Sequence, residues 1–145
     1  MSSERVIYGF HAVSARLRQR AASVREIYLD RADKRAEDLK KLAGERSVRV
    51  VLADKSRLDG LAGHVNHQGV AARVEDIKLA HDLDELLDSL GEPPLLLLLD
   101  SVQDPHNLGA CLRVADAAGA HAVIAPKDRA VGLTAAAIKV ASGAA

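Results

Sequence analysis

Leu95-Leu96-Leu97-Leu98-Leu99 runs directly into Asp100-Ser101-Val102-Gln103-Asp104-Pro105-His106-Asn107-Leu108-Gly109-Ala110-Cys111-Leu112-Arg113-Val114-Ala115-Asp116-Ala117-Ala118-Gly119. Five consecutive leucines predict a strand apolar on both faces, the kind that sits in a parallel sheet covered by helices. Asp104-Pro105 reads as turn chemistry. Asn107 is suited to cap the helix that follows. That helix is made of small residues and carries one basic side chain, Arg113, six residues beyond Asn107. His121–Ala125 predicts the returning strand of a βαβ unit with a right-handed crossover. In an open α/β sheet, ligands bind beyond the carboxyl ends of the strands. Asn107 and Arg113 are therefore candidate site residues.

Working outward, Leu133–Ala141 predicts an alanine-rich helix. On the amino-terminal side, Pro93-Pro94 forces an extended entry to the leucine run. Before it, apolar residues at 83, 86, 87 and 90 predict an amphipathic helix with acidic residues near its N-terminus, where the helix dipole favours them. Gly91 can end it. The first half alternates strand-like runs (Arg5–Tyr8, Val24–Leu29, Val48–Leu52, Val70–Val74) with helix-like runs (His11–Arg20, Asp33–Ala43, Lys55–Leu61), and Gly44 is a plausible helix stop. This order predicts an α/β protein: a small α/β sandwich over residues 1–77, a connector over 78–94, and the opening of a parallel-sheet domain over 95–145.

The chain has one Phe, two Tyr and no Trp, which nearly excludes an aromatic platform for stacking single-stranded bases. Net charge is zero but uneven. Residues 1–77 hold 15 Lys and Arg against 11 Asp and Glu, and residues 78–145 hold 5 against 9. A basic front half suits a module that meets phosphate; ordinary solvated helix faces would give the same counts. Cys111 is the only cysteine, so no intrachain disulfide is possible and the expected setting is a reducing cytoplasm. No secretory signal is recognisable at the N-terminus, and no apolar run approaches a membrane span. The six histidines are dispersed and lack cysteine partners, so no metal site is expected.

The pattern D-x-V-x-D-P-x-N-L-G-A-x-x-R-x-A-D-A-A-G resembles the first signature motif of the SpoU-type RNA ribose 2′-O-methyltransferases of the SPOUT superfamily. Ile7-Tyr8-Gly9-Phe10-His11-Ala12-Val13 looks like the opening of the substrate-binding domain that precedes the catalytic domain in many members. His67-Gln68-Gly69-Val70 looks like that domain's closing signature. The resemblance covers essentially the whole chain. It implies S-adenosyl-L-methionine as methyl donor and RNA as substrate. Among members, the architecture is most similar to an enzyme that methylates a guanosine ribose in 23S ribosomal RNA. A homodimer is also implied.

Carried over by motif, Arg113 is the catalytic arginine and Asn107 a site residue that orients it or the RNA. An arginine with a pKa above about 12 is a poor base, so holding phosphate through its planar fork is the stronger role for Arg113. An ion pair between Arg113 and Asp116 is the structural alternative. In the front half, His11, Arg16, Arg18 and Arg20 are candidates for one phosphate-facing patch, and His67, Gln68 and Gly69 for a loop that touches RNA; solvated helix face and simple turn are the competing readings. Donor-binding loops of the family belong to a knotted segment that would follow residue 145. The resemblance therefore implies that this chain alone has no donor site, is inactive, and is the N-terminal part of a longer enzyme. A non-catalytic RNA-binding or ribosome-associated protein, or a transfer-RNA methyltransferase of the same family, are the alternatives.

Overall fold

Four short strands with consecutive apolar residues make the first sheet, and because a strand pleat sends successive side chains to opposite faces, both faces of the sheet are apolar. The computed structural model describes residues 4–76, 79, 82–128, 130–141 and 143–144. The chain folds into two units, Met1–Asp76 and Ile77–Ala145.

In the first unit, β1 (Glu4–Tyr8), β2 (Val24–Leu29), β3 (Arg49–Leu52) and β4 (Val70–Glu75) form one sheet in the order β1-β4-β2-β3. β4 is antiparallel to both β1 and β2, and β3 is parallel to β2. The register aligns Ile7, Ala72 and Ile27 across three strands, all fully buried. The neighbouring row on the opposite face is Tyr8, Ala71 and Tyr28, also buried. α1 (Phe10–Arg20) contributes Val13 and Leu17 to the core, α2 (Lys34–Glu45) contributes Ala36, Leu39 and Ala43, and α3 (Lys55–Ala62) contributes Leu58. Each fully buried Leu, Ile or Val is worth about 1.5–3 kcal/mol relative to exposure. Arg57 of α3 lies 5.3 Å from the centroid of the Tyr28 ring, so α3 covers the Tyr28 face. The Tyr28 hydroxyl donates to the Glu26 carboxylate, and this bond together with burial raises its pKa.

Four helix starts share one device. Asp33, Asp54, Asp82 and Asp104 each accept a hydrogen bond from the backbone N–H three residues on, at 3.0, 2.8, 3.1 and 3.1 Å. An aspartate cap satisfies an otherwise orphaned donor and is worth about 1 kcal/mol. Two sequence expectations are corrected here. The helix after the leucine run is capped by Asp104, with Pro105 at its first position, and Asn107 lies inside it; a proline is tolerated there because that N–H is unpaired anyway. α2 does not stop at Gly44 but continues to Glu45, and Ser47 takes the left-handed backbone conformation instead (φ 57°).

In the second unit, α4 (Leu83–Asp88) precedes β5 (Leu96–Leu98), α5 (Pro105–Ala117), β6 (Ala122–Ile124) and α6 (Ala135–Ala141). β5 and β6 pair in parallel, Leu97 opposite Val123. The leucine run is not buried on both faces: Leu96 and Leu97 are half-buried and Leu98 is 69% exposed. Two paired strands among the described residues cover too little of each face to bury it. α5 and α6 pack tightly. A Cβ on Gly109 would lie 2.7 Å from the Ala137 carbonyl oxygen and 2.6 Å from Val140 Cβ. The closeness that Gly109 permits is thus between two helices of this unit. His81 and Ser142, which fall in the predicted connector and C-terminal segments, lie outside the described residues.

Candidate functional site

The ends of the first sheet gather four loops. Gly9, just after β1, donates its N–H to the Val70 carbonyl at 3.2 Å. Asp30, just after β2, donates to the Gly69 carbonyl at 3.1 Å, and Ala53, just after β3, donates to the Leu29 carbonyl at 2.8 Å. The Gly9-Phe10-His11 and His67-Gln68-Gly69 segments, some sixty residues apart in sequence, therefore meet at one end of the sheet.

His67 holds this end together. It is only 6% exposed. Its Nδ1 accepts the Gly69 N–H at 3.0 Å, and its Nε2 lies 3.1 Å from Asp59 Oδ1. The first contact requires a lone pair on Nδ1, which assigns the proton to Nε2 and makes it the donor to Asp59. His67 is thus turned inward, and the residue beside it, Gln68, is exposed in a left-handed conformation (φ 58°). Gly69 has φ 82°, and a Cβ there would collide with Asp30 Oδ1 and lie 2.7 Å from Arg31 Nε. Only glycine fits both conditions.

A groove of about 560 Å³ opens over this loop, lined by Asp30, Arg31, Lys55, Asp59, His64, Asn66, His67, Gln68 and their neighbours. Asp59 is engaged by His67. Arg31 spans Asp30 at 3.7 Å and Asp33 at 3.4 Å across exposed surface, a pairing that solvent screens to well under 1 kcal/mol. Sequence reasoning missed Asp30, Arg31, Lys55, Asp59, His64 and Asn66. Asp30 and Arg31 follow β2, Lys55 and Asp59 lie on α3, and His64 and Asn66 follow α3; the fold brings these segments together, and no local signal marks them as a site.

The predicted basic patch on α1 does not form as expected. Arg16 is 6% exposed, its Nη1 donates to Ser23 Oγ at 3.4 Å, and its Nη2 is buried without a hydrogen-bond partner. Burial, then the nearby Arg20 and Arg5 charges, lower its pKa, against an opposing pull from Asp76. The helix turns position 16 toward the sheet together with Val13 and Leu17. His11 and Arg20 are exposed but sit at opposite ends of α1, about 14 Å apart along its axis.

In the second unit, Asn107, Ala110 and Arg113 form an exposed i, i+3, i+6 ridge on α5, opposite the buried Leu108, Gly109 and Ala115. Arg113 stands about 9 Å along the axis from Asn107. Among the described residues it pairs with no carboxylate, Asp116 included. Its five donors are free to meet an anion. Among the described residues of this unit, β5 and β6 pair only with each other, and none supplies a buried, unpartnered polar side chain that would point to a donor site. No helix among the described residues is long and apolar enough to cross a membrane.

Comparison with known proteins gives both units relatives. Residues 6–80 match the family described as RNA 2′-O ribose methyltransferase substrate binding, and residues 94–145 match the SpoU rRNA methylase family. The chain is 60% identical over 147 residues to the 23S rRNA (guanosine-2′-O-)-methyltransferase RlmB of Ralstonia nicotianae, covering 100% of this chain and 59% of that protein. It is 56% identical over 146 residues to the protein of the same name from Nitrosomonas europaea, covering 99% and 56%. Among solved structures, the SpoU methyltransferase AviRb from Streptomyces viridochromogenes superposes with a TM-score of 0.69 at 25% identity, covering 97% of this chain and 50% of that one. The same enzyme in complex with the cofactor AdoMet gives a TM-score of 0.67. The chain spans less than two thirds of the length of the curated relatives it matches.

Proposed function

The chain belongs to the SpoU family of RNA 2′-O-ribose methyltransferases, and from that premise we propose that the protein transfers a methyl group from S-adenosyl-L-methionine to the ribose 2′-oxygen of a guanosine in 23S ribosomal RNA. The observation that carries this reading is the exposed, unpaired Arg113 on the same ridge as Asn107, in a chain whose two halves match a substrate-binding and a methylase family. Relatives at 60% and 56% identity carry the 23S guanosine name.

The division of labour we propose follows residues 1–77 for RNA recognition, 78–94 as connector and 95–145 for the start of the methylase domain. Arg113 holds a phosphate beside the target ribose, its fork matching two phosphate oxygens. Asn107, one ridge position beyond Ala110, offers an amide that donates and accepts along the same track. The donor, when bound, supplies an electrophilic methyl group. A homodimer is proposed on the family resemblance. A cytoplasmic site of action follows from a ribosomal substrate.

The test is transfer of labelled methyl from S-adenosylmethionine to 23S rRNA by the full-length protein, with the product mapped as a 2′-O-methylguanosine. Arg113→Ala is expected to fold normally and lose at least a hundredfold in rate, the scale of removing one preorganised cation from a reacting site. Wild-type rate in that variant removes Arg113 from the mechanism. Methylation of transfer RNA in place of 23S rRNA reassigns the substrate.

A further inference from the structure

The groove at the end of the first sheet has the size and chemistry of a nucleotide site, and we propose that it seats one unpaired nucleotide of the RNA, with Gln68 and His64 at the base edge and Lys55 and Arg31 at the phosphate. The inference rests on the reading of the protein as an RNA methyltransferase and adds where, and in what form, the RNA is gripped.

Four observations support it. First, the volume of about 560 Å³ falls within the range of about 300–1,000 Å³ typical of small-molecule sites, enough for a single nucleotide and too small for a duplex. Second, the groove offers cations and hydrogen-bonding side chains together. Lys55 and Arg31 can meet phosphate, while Gln68 and His64 can read the edge of a base. Third, the surface is held rigid from below. The Asp59–His67–Gly69 chain fixes the loop so that Gln68 projects outward, and Gly69 keeps the floor open between Asp30 and Arg31. A site held by such a buried network is ready before its ligand arrives. Fourth, no Phe, Tyr or Trp lines the groove, while the exposed His64 ring and the Arg31 guanidinium offer planar faces beside the hydrogen-bonding groups, a set that suits a base whose face and edge are both open, as RNA offers only where it is unpaired.

The experiment uses the full-length protein and in-vitro-transcribed 23S rRNA, with affinity measured by filter binding at several salt concentrations. Single-stranded oligoribonucleotides, a perfect RNA duplex and free guanosine monophosphate serve as competitors. Gln68→Gly removes the amide at a position already in a left-handed conformation, so the backbone is not strained by the change. It is expected to weaken binding about fivefold, the loss of roughly one hydrogen bond. Lys55→Ala is expected to lower the slope of log affinity against log salt by about 0.7, one phosphate contact to a single strand, and Lys55→Arg to restore it. The single strand should compete and the duplex should not. Wild-type affinity and salt slope in both variants, with the wild type binding 23S rRNA normally, overturn the groove assignment and leave the methyltransferase reading intact. Better competition by the duplex than by the single strand, or by free monophosphate than by either, also overturns it. A wild type that neither binds nor methylates 23S rRNA sinks both.

Discussion

His67 accepts the backbone N–H of Gly69 at Nδ1, 3.0 Å away, while its other ring nitrogen reaches Asp59 at 3.1 Å. One buried imidazole thus ties α3 to the loop that begins β4. His67→Ala leaves a buried N–H and a carboxylate without their partner. We expect a loss of about 1–3 kcal/mol in urea denaturation. His67→Asn, whose amide can replace one bond, should recover part of it. A variant as stable as wild type would mean that the imidazole contributes nothing to holding the loop.

Glycines 69 and 60 should respond in opposite directions. Gly69→Ala adds a Cβ that collides with Asp30, at a φ of 82°. We expect at least about 1–2 kcal/mol of destabilisation from the left-handed backbone alone. Gly60 lies inside α3 with nothing within 4 Å of an added Cβ. Gly60→Ala should stabilise by about 0.5–1 kcal/mol. Melting temperatures of the two variants moving the same way would contradict this assignment.

Replacing Gly109 should separate α5 from α6. The atoms an added Cβ meets are a backbone oxygen and a β-branched side chain at its Cβ, neither of which can swing away as a flexible tip can. Gly109→Ala is therefore expected to cost about 1–3 kcal/mol by overpacking, despite the better helix propensity of alanine. Hydrogen exchange should show the loss in α5 and α6 and spare the first sheet.

The cap of α5 can be assigned by a pair of mutants. Asp104→Ala should cost about 1 kcal/mol and Asn107→Ala less than about 0.5 kcal/mol, because the side chain that accepts the first-turn N–H is that of Asp104. Methyl transfer should rank them the other way, with the larger loss in Asn107→Ala. Thermal denaturation and a single-turnover assay on the same preparations separate the two effects. Equal stability losses would return the cap to Asn107.

Arg16 is a buried charge with one nitrogen unsatisfied. Replacing an incompletely paired buried charge by an apolar side chain of similar length is often neutral or stabilising, by up to about 2 kcal/mol. Arg16→Met should keep or raise the urea midpoint and leave RNA affinity unchanged. Lower RNA affinity with an unchanged midpoint would restore Arg16 to the RNA-contacting surface.

Much of this molecule was legible along the chain. Strand and helix periodicities located every element to within a few residues, since alternation and the 3.6-residue repeat are local properties. The dense pattern around Asn107 and Arg113, with the two front motifs, pointed to a family that both halves then matched. Four readings failed: the α5 cap and the Gly44 stop turned on local backbone, and Arg16 and the leucine run on what lies across space. Asp104 and Asn107 are both good caps, and the proline between them settled which acts. Arg16 shares its spacing with exposed arginines, yet the turn of α1 against the sheet put it inside. Leu98 belongs to an apolar run, yet burial needs a neighbour.

Residue types and their spacing determined the elements and the family and singled out Asn107 and Arg113 as candidates, because backbone preference and motif are written in short stretches of chain. Only the folded sheet decided that His67 is a buried clamp and Gln68 the exposed group beside it. It also brought Arg31 after β2, Lys55 on α3 and His64 after α3 to one groove. The pairing of β4 with both β1 and β2 sets those neighbours, and strand pairing between distant segments is a property of the whole fold.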